Sequence, residues 1–319
     1  MKIVFMETNT LGDDVDLTPF DRLGEVVKYP YWLPEYNEER IKDADIIVVN
    51  KVPMKAKYLD VAKKLKLICI TGTGTNIVDF NYTNSRNILV ANVKSYSTKS
   101  VAQHTFALLF YLYEKLSYYD NYVKSGQYIK SGVFSHFDVK FHELAGKVWG
   151  IIGLGEIGRE VARLAQAFGC EVVYYSTSGE NNNSEYKRVD LESLLKMSDI
   201  VSIHAPLNDK TRGLIGKEQL RRMKKDAILL NLGRGPIIDE QALAEAIKEN
   251  WIGGAGLDVL SAEPMKETNP LKDIQDSTKL IITPHIAWAT VEARKRVVEE
   301  VYKNIESFLK GEPRNIVTQ

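Results

Sequence analysis

Trp149-Gly150-Ile151-Ile152 runs straight into Gly153-Leu154-Gly155-Glu156-Ile157-Gly158, and Arg159 to Gly169 follows with helical spacing of its apolar residues. A lone Gly-x-Gly-x-x-Gly says little, because glycine is common. Here the triplet leaves a strand and opens a helix, which is the context that dinucleotide binding requires. Gly153 permits the tight turn, Gly155 lets backbone approach a pyrophosphate, and Gly158 lets helix and strand pack closely. Glu156 and Ile157 lie inside the same turn and join the expected cofactor-binding set. The helix start offers unsatisfied N–H groups and the positive end of its dipole to the phosphates.

Outward from this turn, short apolar runs alternate with longer helix-periodic segments, the pattern of βαβ units in a parallel sheet. Val148–Ile152 begins a series that continues through Glu171–Tyr175, Ile200–His204, Ala227–Asn231, Gly256–Val259 and Leu280–Thr283. Six strands with intervening helices suit a doubly wound dinucleotide domain. An earlier series comprises Lys2–Met6, Asp45–Asn50, Leu67–Ile70 and Ile88–Asn92. Between the two, Ser97–Gly126 predicts one long helix, crowded with Tyr111, Tyr113, Tyr118, Tyr119 and Tyr122. Those tyrosines suit either packing between domains or a dimer contact. Val291–Leu309 predicts an amphipathic helix that stops before Gly311 and Pro313.

The 319 residues exceed what one core usually supports, so two α/β domains are expected. The 42 Lys and Arg residues balance 42 Asp and Glu, which leaves no basic footprint for nucleic acid or anionic lipid. Cys69 and Cys170 sit in apolar runs and read as buried, inert thiols without metal-ligand spacing. No metal site is expected. The start of the chain turns polar after MKIVFM, and no run of eighteen apolar residues occurs, so the cytoplasm is the expected compartment.

One feature departs from the usual dinucleotide pattern. About 20 residues after the glycine turn, an acidic side chain normally holds the adenosine ribose. That position is Ser176, followed by Thr177 and Ser178. Without a carboxylate there is no repulsion against a 2′-phosphate; no Arg follows at once to grip one, and Lys187 and Arg188 lie further along the chain. NAD or NADP is therefore expected, with relaxed specificity.

Three segments follow strands of the second series directly: NLGRGPIID (231–239), GLDVLSAEP (256–264) and TPHIAW (283–288). In such sheets ligands bind at the carboxyl ends of the strands, so Arg234, Glu263 and His285 are expected to converge. A 2-keto acid carries a carboxylate that Arg234 can clamp with two parallel hydrogen bonds. Reduction of its carbonyl by hydride needs a proton donor, and the imidazole of His285 can serve as one. A carboxylate beside it, Glu263, favours the protonated ring and fixes its orientation. Singly, each of the three is unremarkable. Together, on a chain that carries the nucleotide turn, they raise the expectation of hydride transfer to a small 2-keto acid.

These residues resemble the D-isomer-specific 2-hydroxyacid dehydrogenase family along nearly the whole chain, and within it most of all the glycerate dehydrogenases, also called hydroxypyruvate reductases. The matching motifs, in family order, are GLGEIG, HAPLNDKTRGLIG, LLNLGRGPIID, GAGLDVLSAEP and ITPHIAW. The resemblance implies that Arg234 binds the substrate carboxylate, Glu263 supports the catalytic histidine and His285 exchanges the proton. It implies a nicotinamide carboxamide contact for Asp258 and a place in the nicotinamide pocket for Val101. It puts His204, Ala205, Pro206, Thr211, Leu232 and Gly233 beside the cofactor. Thr73 and Gly74 look like part of the family's substrate loop, and Lys51 is a further substrate candidate. D stereochemistry and a homodimer are likewise implied.

The resemblance also implies two Rossmann-like domains, the nucleotide domain inserted in the other: residues 1–95 plus 289–319 for substrate, 96–288 for dinucleotide. Linkers at Lys94–Lys99 and Pro284–Ala289 would then be hinges that close a cleft and exclude water. The substrates expected are hydroxypyruvate and glyoxylate, giving D-glycerate and glycolate. Two alternatives stand beside this: a non-catalytic NAD(P)H sensor, disfavoured by a complete acid–base set, and a phosphoglycerate dehydrogenase-type member, which often carries a further C-terminal domain. His104 reads as a packing or capping residue on the long helix, and His136 and His142 as residues without metal partners.

Overall fold

A computed structural model describes residues 1–317; the last two positions of the expected 289–319 segment lie outside the described residues. The chain divides into two compact units. One is Met1–Ser97 together with the chain from Ala289 on, and the other is Thr98–Trp288, so the second is inserted in the first.

The first unit is built on five parallel strands: β1 (Lys2–Phe5), β2 (Glu25–Lys28), β3 (Ile46–Val49), β4 (Leu67–Ile70) and β5 (Leu89–Ala91), in the order β2-β1-β3-β4-β5. The residues of β3 and β4 are buried throughout, because both faces of a parallel sheet are covered. The edge strand β2 is absent from the sequence reading. Charged Glu25 and Lys28 flank only two valines there, a composition suited to an exposed edge. The helix Val291–Leu309 has the predicted bounds and is capped by the Thr290 hydroxyl, which accepts from Ala293 N at 3.3 Å. Arg294 ties it to the Leu11 carbonyl at 2.7 Å, and Tyr302 meets Phe20 edge to face at 5.5 Å.

The second unit carries seven parallel strands: β6 (Val148–Ile152), β7 (Glu171–Tyr175), β8 (Lys187–Arg188), β9 (Ile200–Ile203), β10 (Ile228–Asn231), β11 (Gly254–Leu257) and β12 (Leu280–Ile282). Their order is β12-β11-β10-β9-β6-β7-β8. From β6 the chain winds first toward β7 and later toward β9, and this reversal opens a crevice at the carboxyl ends of β6 and β9. Alternate residues of β7 enter opposite cores. Val173 packs with Leu194, Val201 and Leu243 on one face, Val172 and Tyr174 with Trp149, Ala162 and Leu109 on the other. The buried Trp149 indole donates to Ser202 Oγ at 2.9 Å, so the core retains no orphaned N–H there.

Three expectations need correction. Ser97–Gly126 is two helices, Thr98–Tyr113 and Leu116–Lys124, because Lys115 between them adopts a left-handed backbone (φ 54°) and donates its ammonium to Thr278 O at 3.2 Å. The strand placed at Gly256–Val259 begins earlier, at Gly254. A Cβ on Gly254 would lie 2.7 Å from Lys279 O, so glycine serves close approach to the neighbouring chain and not a loop. The two-residue edge strand β8 is wholly charged and exposed, and it escaped the sequence reading for that reason. Among the described residues no helix is long and apolar enough to cross a membrane.

Candidate active site

The glycine turn leaves β6 as the sequence requires. Gly153 has φ 92°, and a Cβ there would lie 2.9 Å from the Ala205 backbone. At Gly158 a Cβ would lie 2.4 Å from Gly153 O, whereas at Gly155 it would meet nothing within 4 Å. Two glycines thus serve packing, and the third faces open space. The helix Glu156–Ala167 starts at Gly155 without a side-chain cap, so its first N–H groups remain for a ligand. This cradle fits a dinucleotide pyrophosphate.

The other expected cofactor residues stand at the ends of the same strands. Ser176 and Thr177 follow β7. Ser176 is buried, and its Oγ accepts from Gly179 N at 3.2 Å and Asn181 N at 3.3 Å, so the hydroxyl shapes the loop that replaces the missing carboxylate. Arg188 on β8 reaches the same loop and donates to Asn182 Oδ1 at 2.8 Å. His204, Ala205 and Pro206 follow β9. His204 is half-buried as a residue, but both ring nitrogens are buried and without a partner among the described residues, and burial pushes its pKa down to about 3. A buried, neutral ring with two orphaned nitrogens is what a site awaiting a ligand group would show. Thr211 is fully buried and closes this loop, donating to Pro206 O at 2.7 Å and accepting from Asn208 N at 2.8 Å. Leu232 and Gly233 follow β10, with Gly233 pressed so near Ala205 that a Cβ would lie 2.9 Å from its carbonyl oxygen. Val101 is buried on the first turn of the helix Thr98–Tyr113.

Arg234, Glu263 and His285 occupy the loops after the adjacent strands β10, β11 and β12. The His285 ring is hydrogen-bonded through Nδ1 to Glu263 Oε2 at 2.7 Å, and both side chains are partly exposed. A carboxylate only accepts, so Nδ1 carries the proton and Nε2 is left to the solvent side. Glu263 Oε1 accepts from Leu260 N at 3.0 Å, which folds its loop back on itself. Arg234 donates from Nη1 to Gly233 O at 2.8 Å and opens a single turn at Gly235–Ile237. Gly235 has no room for a side chain: a Cβ would lie 1.9 Å from Leu260 C. The Arg234 turn is thereby pressed against the loop that holds Glu263. Asp258 is buried and accepts from Ile286 N at 2.9 Å and Thr283 Oγ1 at 2.7 Å through Oδ1, and from Ala287 N at 2.9 Å through Oδ2.

In the first unit Lys51 follows β3, and Thr73 and Gly74 follow β4. The Thr73 hydroxyl donates to Val93 O at 2.8 Å, and its carbonyl accepts from Asn92 Nδ2 at 2.7 Å. Two carboxylates escaped the sequence reading. Glu7, at the end of β1, is buried, and its Oε1 accepts from Asn50, Lys51 and Val52 N at 2.5 to 3.0 Å, fixing the loop that bears Lys51. Glu240 accepts from Ser261 N at 2.6 Å and Asn269 Nδ2 at 2.9 Å, anchoring the Glu263 loop from below. A glutamate that binds backbone N–H groups across the fold has no local sequence pattern; the only signal was an acidic residue directly after the apolar run of β1.

A dinucleotide cradle and a paired imidazole at the carboxyl ends of one parallel sheet are the equipment of a nicotinamide-dependent oxidoreductase. Residues 106–287 match the family described as D-isomer specific 2-hydroxyacid dehydrogenase, NAD binding domain. The chain is 39% identical over 317 residues to a glycerate dehydrogenase of Methylorubrum extorquens, covering 99% of this chain and 98% of that protein. It is 38% identical over 327 residues to a hydroxypyruvate reductase of Blautia hydrogenotrophica, covering all of both. Among solved structures, an acyclic imino acid reductase in complex with NADPH and D-Arg superposes with a TM-score of 0.85 at 30% identity, again over the full length of both chains. The chain belongs to the D-isomer specific 2-hydroxyacid dehydrogenase family, and it is an oxidoreductase that uses a nicotinamide cofactor.

Proposed function

We propose that the chain reduces hydroxypyruvate and glyoxylate to D-glycerate and glycolate, with NADH or NADPH, as a cytoplasmic homodimer. The observation that carries the reading is the His285–Glu263 hydrogen bond of 2.7 Å on strand-end loops of the sheet that also bears the dinucleotide cradle. A bound reduced nicotinamide supplies the hydride. With both ring nitrogens protonated, His285 gives the Nε2 proton to the nascent alkoxide and keeps the Nδ1 proton that Glu263 holds. Arg234 binds the carboxylate and orients the carbonyl carbon. Lys51 and the Thr73-Gly74 loop supply further substrate contacts. Asp258 has about four acceptor positions, three of them engaged, and the remaining one on Oδ2 is assigned to the nicotinamide carboxamide.

Relaxed cofactor use follows from Ser176, which brings no charge against a 2′-phosphate, and from the Arg188 guanidinium, which reaches that loop from β8. The names of the relatives, glycerate dehydrogenase and hydroxypyruvate reductase, point to the substrate. Two buried free thiols suit a reducing compartment.

The test is a set of initial rates for hydroxypyruvate, glyoxylate, pyruvate and longer 2-keto acids, each with NADH and NADPH. Hydroxypyruvate and glyoxylate should have the highest kcat/KM, and the two cofactors should agree within about tenfold. No turnover alongside tight NAD(P)H binding would replace the enzyme with a sensor. A preference for NADH beyond about a hundredfold would remove the role given to Ser176.

The homodimer rests on residues 127–141. Ile129, Phe134 and Phe137 are 87%, 93% and 79% exposed there, far more apolar surface than a solvated segment carries. The segment is firmly held: Tyr122 stacks on His136 at 3.8 Å, and the Tyr118 hydroxyl lies 2.8 Å from His136 Nε2. A second copy of the chain is the proposed cover. Sedimentation at micromolar concentration should give twice the mass of the chain, and Phe134→Asp with Phe137→Asp should give the monomer; a monomeric wild type refutes this.

A further inference from the structure

His285 has a left-handed backbone, with φ 55°, a conformation that side chains other than glycine rarely adopt. Such a residue persists only where its surroundings over-determine it. Its own N–H is shared between Asp258 O and Thr283 O, both at 2.9 Å. The next two N–H groups, of Ile286 and Ala287, both go to the Asp258 carboxylate. The turn is therefore wrapped around one buried aspartate.

The aspartate is in turn held from the helix Thr98–Tyr113. Thr283 Oγ1 lies 2.7 Å from Asp258 Oδ1 and 3.0 Å from His104 Nε2. A hydroxyl has one proton, and the carboxylate takes it, so toward His104 the oxygen only accepts. Nε2 must carry hydrogen and donate. Directly, His104 Nε2 and Asp258 Oδ1 are 3.7 Å apart, too far for a hydrogen bond, so the connection passes through Thr283. One helical turn before His104, Ser100 Oγ donates to Ala287 O. Positions four apart share a face of a helix. That face grips the loop at Thr283 and at Ala287, two residues either side of His285.

We propose that His104 is a positioning residue for His285: through Thr283 and Asp258 it fixes the left-handed turn that aims the imidazole. The inference rests on the functional reading above, in which His285 is the proton donor, but the anchoring itself can be measured without turnover.

The experiment compares His104→Phe and Thr283→Val, which break the relay, with His104→Gln and Thr283→Ser, which retain a donor and a hydroxyl. For each, kcat and KM for hydroxypyruvate, the NADH dissociation constant and amide exchange of residues 283–288 are measured. The breaking variants should lower kcat about tenfold, the size of one hydrogen bond lost at the transition state, with KM and NADH affinity unchanged. Their 283–288 amides should exchange faster, and the conservative variants should recover both properties. Unchanged exchange in His104→Phe and Thr283→Val overturns the proposal, as does a kcat loss matched by an equal loss of NADH affinity. A wild type inert toward every 2-keto acid overturns the functional reading alone, because the exchange comparison still decides whether His104 anchors the turn.

Discussion

His285→Ala is expected to lower kcat for 2-keto acid reduction by about a thousandfold, within the range that general acid catalysis supplies. Hydride delivery to a carbonyl leaves an alkoxide, and protonation in step with that transfer removes the charge as it forms. His285 is placed for this by three features of one loop. Its Nδ1 is occupied by Glu263, which fixes the tautomer and leaves Nε2 as the exchanging nitrogen. Its backbone is locked by Asp258. Its ring keeps enough exposure to meet a substrate. Alanine removes the proton donor and leaves water in its place, without touching the glycine turn after β6. NADH affinity, measured by fluorescence quenching, should therefore stay within about twofold of wild type, because the cradle and the ribose loop do not include this side chain. An unchanged kcat removes His285 from the mechanism. A parallel collapse of NADH binding would make it a structural residue of the cofactor site.

How much of this was legible in sequence depended on where each residue's partners lie. The turn Gly153–Gly158 was readable because its glycines answer local demands: Gly153 and Gly158 have no room for a side chain, and Gly155 faces open space. Interior strands such as Glu171–Tyr175 were readable to the residue, since burial on both faces writes an apolar run, here Val172 to Tyr174. Edges were not: Glu25–Lys28 and Lys187–Arg188 carry the charges that keep an edge from pairing, and these are also the charges of a loop. The break at Lys115 has no glycine or proline to announce it. At the site, residue types after strands brought out Arg234, Glu263 and His285, and the Glu263–His285 bond spans 22 residues as that logic expects. The residues that hold them in place stayed hidden. Glu240 accepts from a backbone N–H and Thr283 donates to a carboxylate far along the chain, as Glu7 does for the separate Lys51 loop by accepting backbone N–H groups, and such contacts leave no periodicity behind.

Arg234→Lys is the complementary case, in which charge is kept and geometry is lost. The guanidinium spends one N–H on Gly233 O, and the rest of its planar fork remains for a carboxylate. Its backbone has no freedom to adapt, since Asn231 Nδ2 donates to the Arg234 carbonyl at 3.0 Å and Gly235 is pressed against Leu260 and Ser261. A lysine ammonium in that fixed turn offers a point charge and no second parallel hydrogen bond. Loss of one charge-assisted bond corresponds to roughly a hundredfold in kcat/KM for hydroxypyruvate, with KM rising and kcat falling because the carbonyl is no longer aimed. NADH affinity should be unaffected. The decisive control is a carbonyl substrate without a carboxylate, such as dihydroxyacetone, assayed at high concentration with both proteins. If the two proteins reduce it equally poorly, the arginine acts through the carboxylate. If lysine costs the same factor there, Arg234 shapes the loop or the cofactor instead, and the carboxylate must be bound elsewhere.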